Sequence, residues 1–265
     1  MRKIALVIAL LGATAFASAC AAVYPELATP THAPVTGQEL EPPPETVKWI
    51  ELKGASVPRL TRDGRPWGTG SKNAPSSYAI VFVNGQPIIR TQPEADTFAP
   101  TWPGSKRGNF ALAKGDRIRI ELWESRPVND RPIGVREITF TGEVNDDNEL
   151  TVLLDGGAEA TLKIEPARPV VGLGFRYELR GIDGVFVTRV VEHSPAGRAG
   201  VKPGDQIVAI DGRPTHGMSE AEIRSLLNMH HPQGLALQLR RPDGSLVALS
   251  LKDGAIYELG TAQAQ

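Results

Sequence analysis

The sequence is poor in the residue types on which hydrolytic and metal-dependent enzymes rely. Its 265 residues hold one cysteine, Cys20, so no internal disulfide can form. It has five histidines, and none of them falls between residues 47 and 165. A nucleophile in that stretch would have no imidazole base of its own. There is no Gly-x-Ser-x-Gly or Gly-Asn-Ser-Gly-Gly element, no His-x-x-x-His pair and no phosphate loop. Serine and lysine are both present, but nothing marks a Ser-Lys dyad. The formal net charge is -1 and the basic residues form no block, which gives no reason to expect a nucleic-acid partner. These absences predict a protein that is not an enzyme, and leave binding as its business.

The N-terminus carries the first positive signal. Arg2-Lys3 precede an apolar run from Ile4 to Phe16, too short for an ordinary spanning helix. Ala17-Ser18-Ala19 and then Cys20 follow. This arrangement resembles a bacterial lipoprotein signal, which implies removal of residues 1–19, lipidation of Cys20 and attachment to a membrane. Ala17 departs from the commoner leucine, and the alternative is a plain secretory signal cut near Ala-x-Ala. Ala21 stands where aspartate would retain a lipoprotein at the inner membrane of enteric bacteria, so the expected place is the cell envelope, at the outer rather than the inner membrane. Residues 20–46 hold Pro25, Pro30, Pro34 and Pro42-Pro43-Pro44 with few large apolar residues. They read as a semi-extended tether that spaces lipid from folded domains, with packing of Val23-Tyr24 as the alternative.

Residues 47–165 are strand-rich. The candidate strands are 47–52, 78–83, 87–91, 109–112, 117–123, 136–140, 150–154 and 160–164. Asn84-Gly85 and Asp155-Gly156-Gly157 mark two of the turns. Seven or eight short strands without a long amphipathic helix predict an antiparallel β-sandwich. Ser77-Tyr78-Ala79-Ile80-Val81-Phe82-Val83, Arg90-Thr91, Ala99-Pro100-Thr101-Trp102, Ile118 to Glu124 and Pro132-Ile133-Gly134, in this order, resemble a C2 domain. That family binds calcium through loop aspartates, and calcium wants six to eight oxygen ligands. Here Ser76-Ser77 occupy the first loop. The third loop offers Glu124 and Asp130, with Arg126 nearby and Asp63 as a further candidate. The expectation is no cofactor and no metal, with calcium as the one ion to consider. On this view the sandwich is a spacer or a contact surface.

The region from 166 to 255 is the most informative. Gly172-Leu173-Gly174-Phe175 leads into a strand, and Gly184 to Val191 gives another. Ser194-Pro195-Ala196 reads as a helix start with serine as N-cap and proline at N1. Gly200-Val201-Lys202-Pro203-Gly204-Asp205 is a turn, Gln206 to Ile210 a strand, and Asp211-Gly212 a hairpin signal. A helix from Ser219 to about Met229 and strands 235–240 and 246–251 complete the order. The order resembles a PDZ domain, a small β-barrel or sandwich capped by two helices. The fold class is therefore mainly β, with a C2-like antiparallel sandwich followed by a PDZ domain and a short tail, 256–265.

The PDZ resemblance implies a peptide site. The amides of Leu173, Gly174 and Phe175 would hold a terminal carboxylate in a backbone nest. The strand containing Phe175, Arg176 and Tyr177 would offer a bare edge to an added peptide strand. Ile223 and Leu226 would line an apolar pocket beside it, and Arg168 would support the carboxylate. Ser219 stands where members selecting Ser or Thr often place histidine. Its Ser-x-x-Glu spacing to Glu222 reads as a capping box, which argues against that selectivity. His216 reads as solvated. His230-His231 read as helix C-terminal groups rather than a metal pair, and Asp205 and Asp211 as turn residues that hold backbone amides.

The expected function is that of a lipid-anchored envelope adaptor, whose partners are peptide or protein C-termini in the cell envelope and, through Cys20, the membrane. Two alternatives remain open. One is a client-recruiting subunit of a secretion or proteolysis complex. The other is calcium-dependent membrane or glycan binding by the C2-like part. The chain's own end, Ala262 to Gln265, lacks an apolar terminus and makes a poor self-ligand.

Overall fold

Alternation of apolar and polar residues builds the first half of the chain. A computed structural model describes residues 24–67, 73–102 and 107–260. Two short strands come first, β1 (Leu27–Ala28) and β2 (Thr31–His32). The sandwich strands follow as β3 (Val47–Ser56), β4 (Ser77–Val83), β5 (Gln86–Arg90), β6 (Gly108–Ala111), β7 (Arg117–Glu124), β8 (Arg131–Thr139), β9 (Glu149–Leu153) and β10 (Glu159–Pro166). They form two four-stranded antiparallel sheets, ordered β6-β3-β10-β9 and β5-β4-β7-β8. Every second residue of β7, Ile118, Ile120 and Leu122, faces a core shared with Ile50, Leu52, Val81 and Leu162.

All eight sandwich strands sit where the apolar alternation placed them. The chief difference is β8, which starts at Arg131 rather than Arg136. Pro132-Ile133-Gly134, expected in the third loop, therefore belong to the strand. Two local features draw it in. Arg131 pairs with Glu124 across the hairpin. At Gly134, a Cβ would sit 2.5 Å from the Asp155 carbonyl oxygen, so only glycine allows that approach.

The second half contains β11 (Val170–Gly172), β12 (Phe175–Leu179), a single 3-10 turn (Gly181–Asp183), β13 (Val185–Val190), α1 (Pro195–Arg198) and β14 (Gln206–Ile210). It goes on with β15 (Arg213–Pro214), α2 (Glu220–Leu227), β16 (Leu235–Arg240), β17 (Leu246–Leu251) and β18 (Gly254–Ile256). One sheet runs β12-β13-β14-β16-β17, with β15 on β14. Leu173, Phe175, Tyr177, Ile207, Ile223, Leu227, Leu237 and Leu239 fill its core. Ser194 caps α1 by accepting from the Gly197 amide, with Pro195 at N1. Asp205 accepts from the Lys202 amide as expected, and also pairs with Arg241 Nη1 at 2.9 Å while fully buried. Asp211 accepts from the Ala236 amide. Together these give a mainly β protein: an antiparallel sandwich, then a PDZ domain.

Two boundaries differ from the sequence reading. Residues 256–260 are not a loose tail: Ile256 and Tyr257 are buried, the Tyr257 amide donates to His193 and the Gly260 amide to Asn109. Residues 26–41 are not a spacer either, because they lie along the PDZ domain. β1 adds to β12, β2 adds to β11, and Glu41 pairs with Arg198 at 2.6 Å. Each returning segment brings apolar residues to a small third core of Val47, Ala167, Ala255 and Tyr257, with Leu40 against it. Val47 belongs to the sandwich, so this core joins the two halves.

Candidate peptide groove

The groove lies between β12 and α2, with the 172–175 loop at one end. Gly174 has φ +85°, and a Cβ there would lie 2.2 Å from Ser194 Cβ, so the loop needs glycine on both counts. The Leu173 carbonyl accepts from Ala196 and the Gly174 carbonyl from Val191, which fixes the loop on α1 and the end of β13. Leu173, Phe175 and Tyr177 are buried. The Tyr177 hydroxyl reaches Asn228 Oδ1 at 3.3 Å, and burial pushes its pKa up.

The edge of β12 is not bare. Leu27 and Ala28 pair antiparallel with Tyr177 and Arg176. Thr29, 4% exposed, completes the addition. Its amide and hydroxyl both donate to the Phe175 carbonyl, at 3.1 and 3.0 Å, and its hydroxyl accepts from the Phe175 amide at 3.3 Å. The expectation of an open edge is therefore corrected. The physical reason is that a sheet edge exposes unmet donors and acceptors, and a proline-punctuated segment close in space can satisfy them at little entropic cost.

The segment runs toward the 172–175 loop, as a peptide ending in a carboxylate would. Instead of ending, it passes through Pro30, whose carbonyl oxygen lies 2.5 Å from the position of a Cβ on Gly172, and pairs Thr31 and His32 with β11. Leu27 packs against the PDZ core. Glu26 accepts from Thr188 Oγ1 at 2.7 Å and from Arg176 Nη1 at 3.2 Å, and these bonds, that from Thr188 foremost, hold its carboxyl below the ordinary glutamate range. Residues 26–32 thus form a strap across the loop end of the groove.

The other implied site residues divide. Ile223 is buried in the PDZ core and Leu226 packs against it half-buried, both on α2 as expected. Ser219 is fully used by its capping box: its hydroxyl accepts from the Glu222 amide, and its own amide donates to Glu222 Oε2 at 2.8 Å. Arg168 does not serve the loop. Its guanidinium pairs with Glu165 and lies 4.4 Å from the Trp49 ring centre, because its backbone is drawn to Asn109 of the sandwich. The His230-His231 pair splits. His231 turns inward, with Nε2 2.9 Å from the Leu226 carbonyl, while His230 stays exposed. Cys20 and residues 1–19, which the sequence suggested as its signal, lie outside the described residues.

Beyond Tyr177 the strap ends its pairing, and the groove opens into a cavity of about 670 Å³. Leu179, Val185 and Ile223 contribute apolar surface to it, and Ile182 stands at its edge 94% exposed. Sequence reasoning missed this end of the groove and the strap. Thr29 and Thr31 flanking Pro30 are β-tolerant residues inside a proline-rich stretch, a faint signal for a short added strand.

The sandwich loops show a different outcome. Glu124, 5% exposed, pairs with Arg131 Nε at 2.7 Å, and Arg131 also donates to the Trp67 carbonyl. Asp130 accepts from the Arg126 amide at 2.9 Å and the Tyr78 hydroxyl at 2.8 Å, bonds that hold its carboxyl low. Both third-loop carboxylates are thus engaged by neighbours, and Arg126 acts through its amide rather than its charge.

Residues 186–241 match the sequence profile of the PDZ domain. A stretch of 66 residues is 41% identical to the magnetosome formation protease MamE of Magnetospirillum gryphiswaldense, covering 24% of this chain and 8% of that one. The chain thus spans under a tenth of the length of that curated relative. Among solved structures, the HtrA3 PDZ domain bound to a phage-derived ligand (FGRWV) is 24% identical, with TM-score 0.27 over 33% of this chain and 88% of that one. The paired C2 domains of Extended-Synaptotagmin 2 are 14% identical, with TM-score 0.36 over 87% and 86%. By the profile match, residues 186–241 belong to a PDZ domain, a protein-interaction module.

Proposed function

We propose that this protein is a non-enzymatic, lipid-anchored envelope adaptor whose PDZ groove takes partner peptides by strand addition on β12, in competition with its own strap. The observation that carries this reading is the strap itself. Residues 27–29 pair with β12 as an added peptide strand would, and they run in the same direction. A site that accepts an extended segment of this chain has the chemistry to accept one from another. The open cavity beyond Tyr177 gives a partner a place to begin, before it displaces the strap.

The competition has a predictable size. When a binding-competent state is a fraction of the population, apparent affinity falls by that fraction. A strap held by about 1.4 kcal/mol would weaken peptide binding roughly tenfold. It would also bring the PDZ domain close to a bilayer: the few residues between Cys20 and Glu26 span at most about 20 Å.

The test is fluorescence polarisation with C-terminal peptides of varied, mostly apolar ends, against the wild-type chain and Leu27→Asp. The substitution places a charge against the PDZ core and should free the strap. Leu27→Asp is expected to bind a subset of peptides at least tenfold more tightly. No binding by either protein would refute the adaptor reading and leave the groove as a dock for its own N-terminus.

A further inference from the structure

A cluster of three ligating side chains lies at the point where the strap leaves the groove. His32 comes from β2, His230 from the segment after α2, and Asp253 from the turn between β17 and β18. Their ligand atoms all lie within 4.8 Å of one another, the one such grouping of three or more among the described residues. The rings of His32 and His230 meet edge to face with centroids 4.6 Å apart, and His230 Nδ1 is 3.7 Å from Asp253 Oδ2.

The surroundings prepare these groups for a metal. His32 Nδ1 lies 2.8 Å from the Ala33 carbonyl oxygen. In the neutral ring, the proton therefore sits on Nδ1 and leaves the Nε2 lone pair outward, the usual arrangement of a metal-binding histidine. The Asp253 carboxylate is oriented by the His231 amide, which donates to Oδ2 at 2.7 Å; that oxygen, 3.7 Å from His230 Nδ1, keeps a second lone pair for an ion. A cavity of about 520 Å³ adjoins all three, giving entry to an ion and a water. Lys252 lines the same cavity and opposes a bound cation, which favours an exchangeable ion over a permanent one.

We propose that His32, His230 and Asp253 bind Zn²⁺, with water as the fourth ligand, and that the ion ties the strap to the PDZ domain. Two imidazoles and one carboxylate suit zinc, which prefers four ligands and takes nitrogen at about 2.0–2.1 Å. A tetrahedral site would bring the ligand atoms to roughly 3.3 Å apart, an adjustment within reach of the exposed His230 side chain. Because His32 belongs to the strap while the other two ligands belong to the domain body, zinc binds best with the strap in place. Linkage then requires that zinc stabilise the docked strap. This regulatory half rests on the groove reading above; the metal half does not.

The experiment uses the full chain with Zn²⁺ alone as probe, in wild type, His32→Gln and His230→Gln. Calorimetry should show one zinc per chain in the wild type, and at least tenfold weaker binding in each variant. Both positions are accessible, so circular dichroism and Tm without zinc should match the wild type. Hydrogen exchange of the Phe175 and Tyr177 amides, which face the strap, should slow about tenfold with saturating zinc in the wild type and not in the variants. Equal zinc binding by wild type and both variants, or none by the wild type, overturns the site. Zinc that binds without slowing those amides overturns the tie to the strap. Zinc that slows them, in a protein that binds no peptide, keeps this proposal and refutes the adaptor reading instead.

Discussion

The loop end of the sandwich and the loop end of the PDZ groove begin alike and finish differently. In both, the sequence places groups suited to a ligand, and in both the folded chain engages those groups itself. At the sandwich, Glu124 is held by Arg131 in the next strand, and Asp130 by Arg126 four residues away and Tyr78 on β4. These partners belong to the framework and cannot leave without opening the sheet. At the groove, Phe175 is held by Thr29, 146 residues distant, on a strap with two short strands of two residues each. Such a segment can leave while the domain remains folded. Local engagement is architecture; engagement by a short, distant segment can be reversed.

The sharpest way to break this contrast is to remove Arg131. Arg131→Met leaves Glu124 as a buried, unpaired charge, and should cost about 3–5 kcal/mol of sandwich stability. Chemical denaturation monitored by tryptophan fluorescence measures it. A loss under about 1 kcal/mol, the scale of an exposed pair, would mean that the loop end is not fixed architecture, and would reopen it to calcium.

A smaller effect is expected at the strap. Thr29→Val keeps the shape and removes the hydroxyl that serves both polar groups of Phe175. It should weaken docking by about 1–2 kcal/mol, with a roughly five- to thirtyfold faster exchange of the β12 amides. The melting temperature of the domain should hardly move. If the whole PDZ domain melts with the strap, the two are one cooperative unit and the contrast fails.

The smallest expected effect is that of pH. The carboxyl of Glu26 titrates lower with the strap docked than in the unfolded chain, because Thr188 and Arg176 favour its charged form. Its contribution is complete above the ordinary glutamate pKa and is lost as pH falls through the lowered value. The protection factors of the β12 amides, taken relative to intrinsic exchange at each pH, should therefore fall on acidification below about pH 4.5, and Glu26→Gln should flatten that dependence. An unchanged profile in Glu26→Gln would show that the Glu26 bonds do not hold the strap.

Much of the fold was legible because it depends on short-range patterns. Alternation along β4 and β7 marked both faces of the sandwich, and Ser194-Pro195 and Ser219-x-x-Glu222 marked helix starts through bonds that close within three residues. Position 174 was legible for the same reason. Arg168 was not. Its direction follows from Asn109, 59 residues away, which nothing in the neighbouring sequence announces. The splitting of His230 from His231 likewise depends on His32 and Asp253 arriving from elsewhere.

The sequence by itself determined the two domains, the loop that needs glycine at 174, and the α2 face that carries Ile223 and Leu226, because periodicity, turn chemistry and capping act over a few residues. Only the tertiary structure decided what lies on the β12 edge. Edge pairing depends on which segment is near in space, and a strap of residues 26–32 with weak strand propensity reaches that edge only because the folded body places it there.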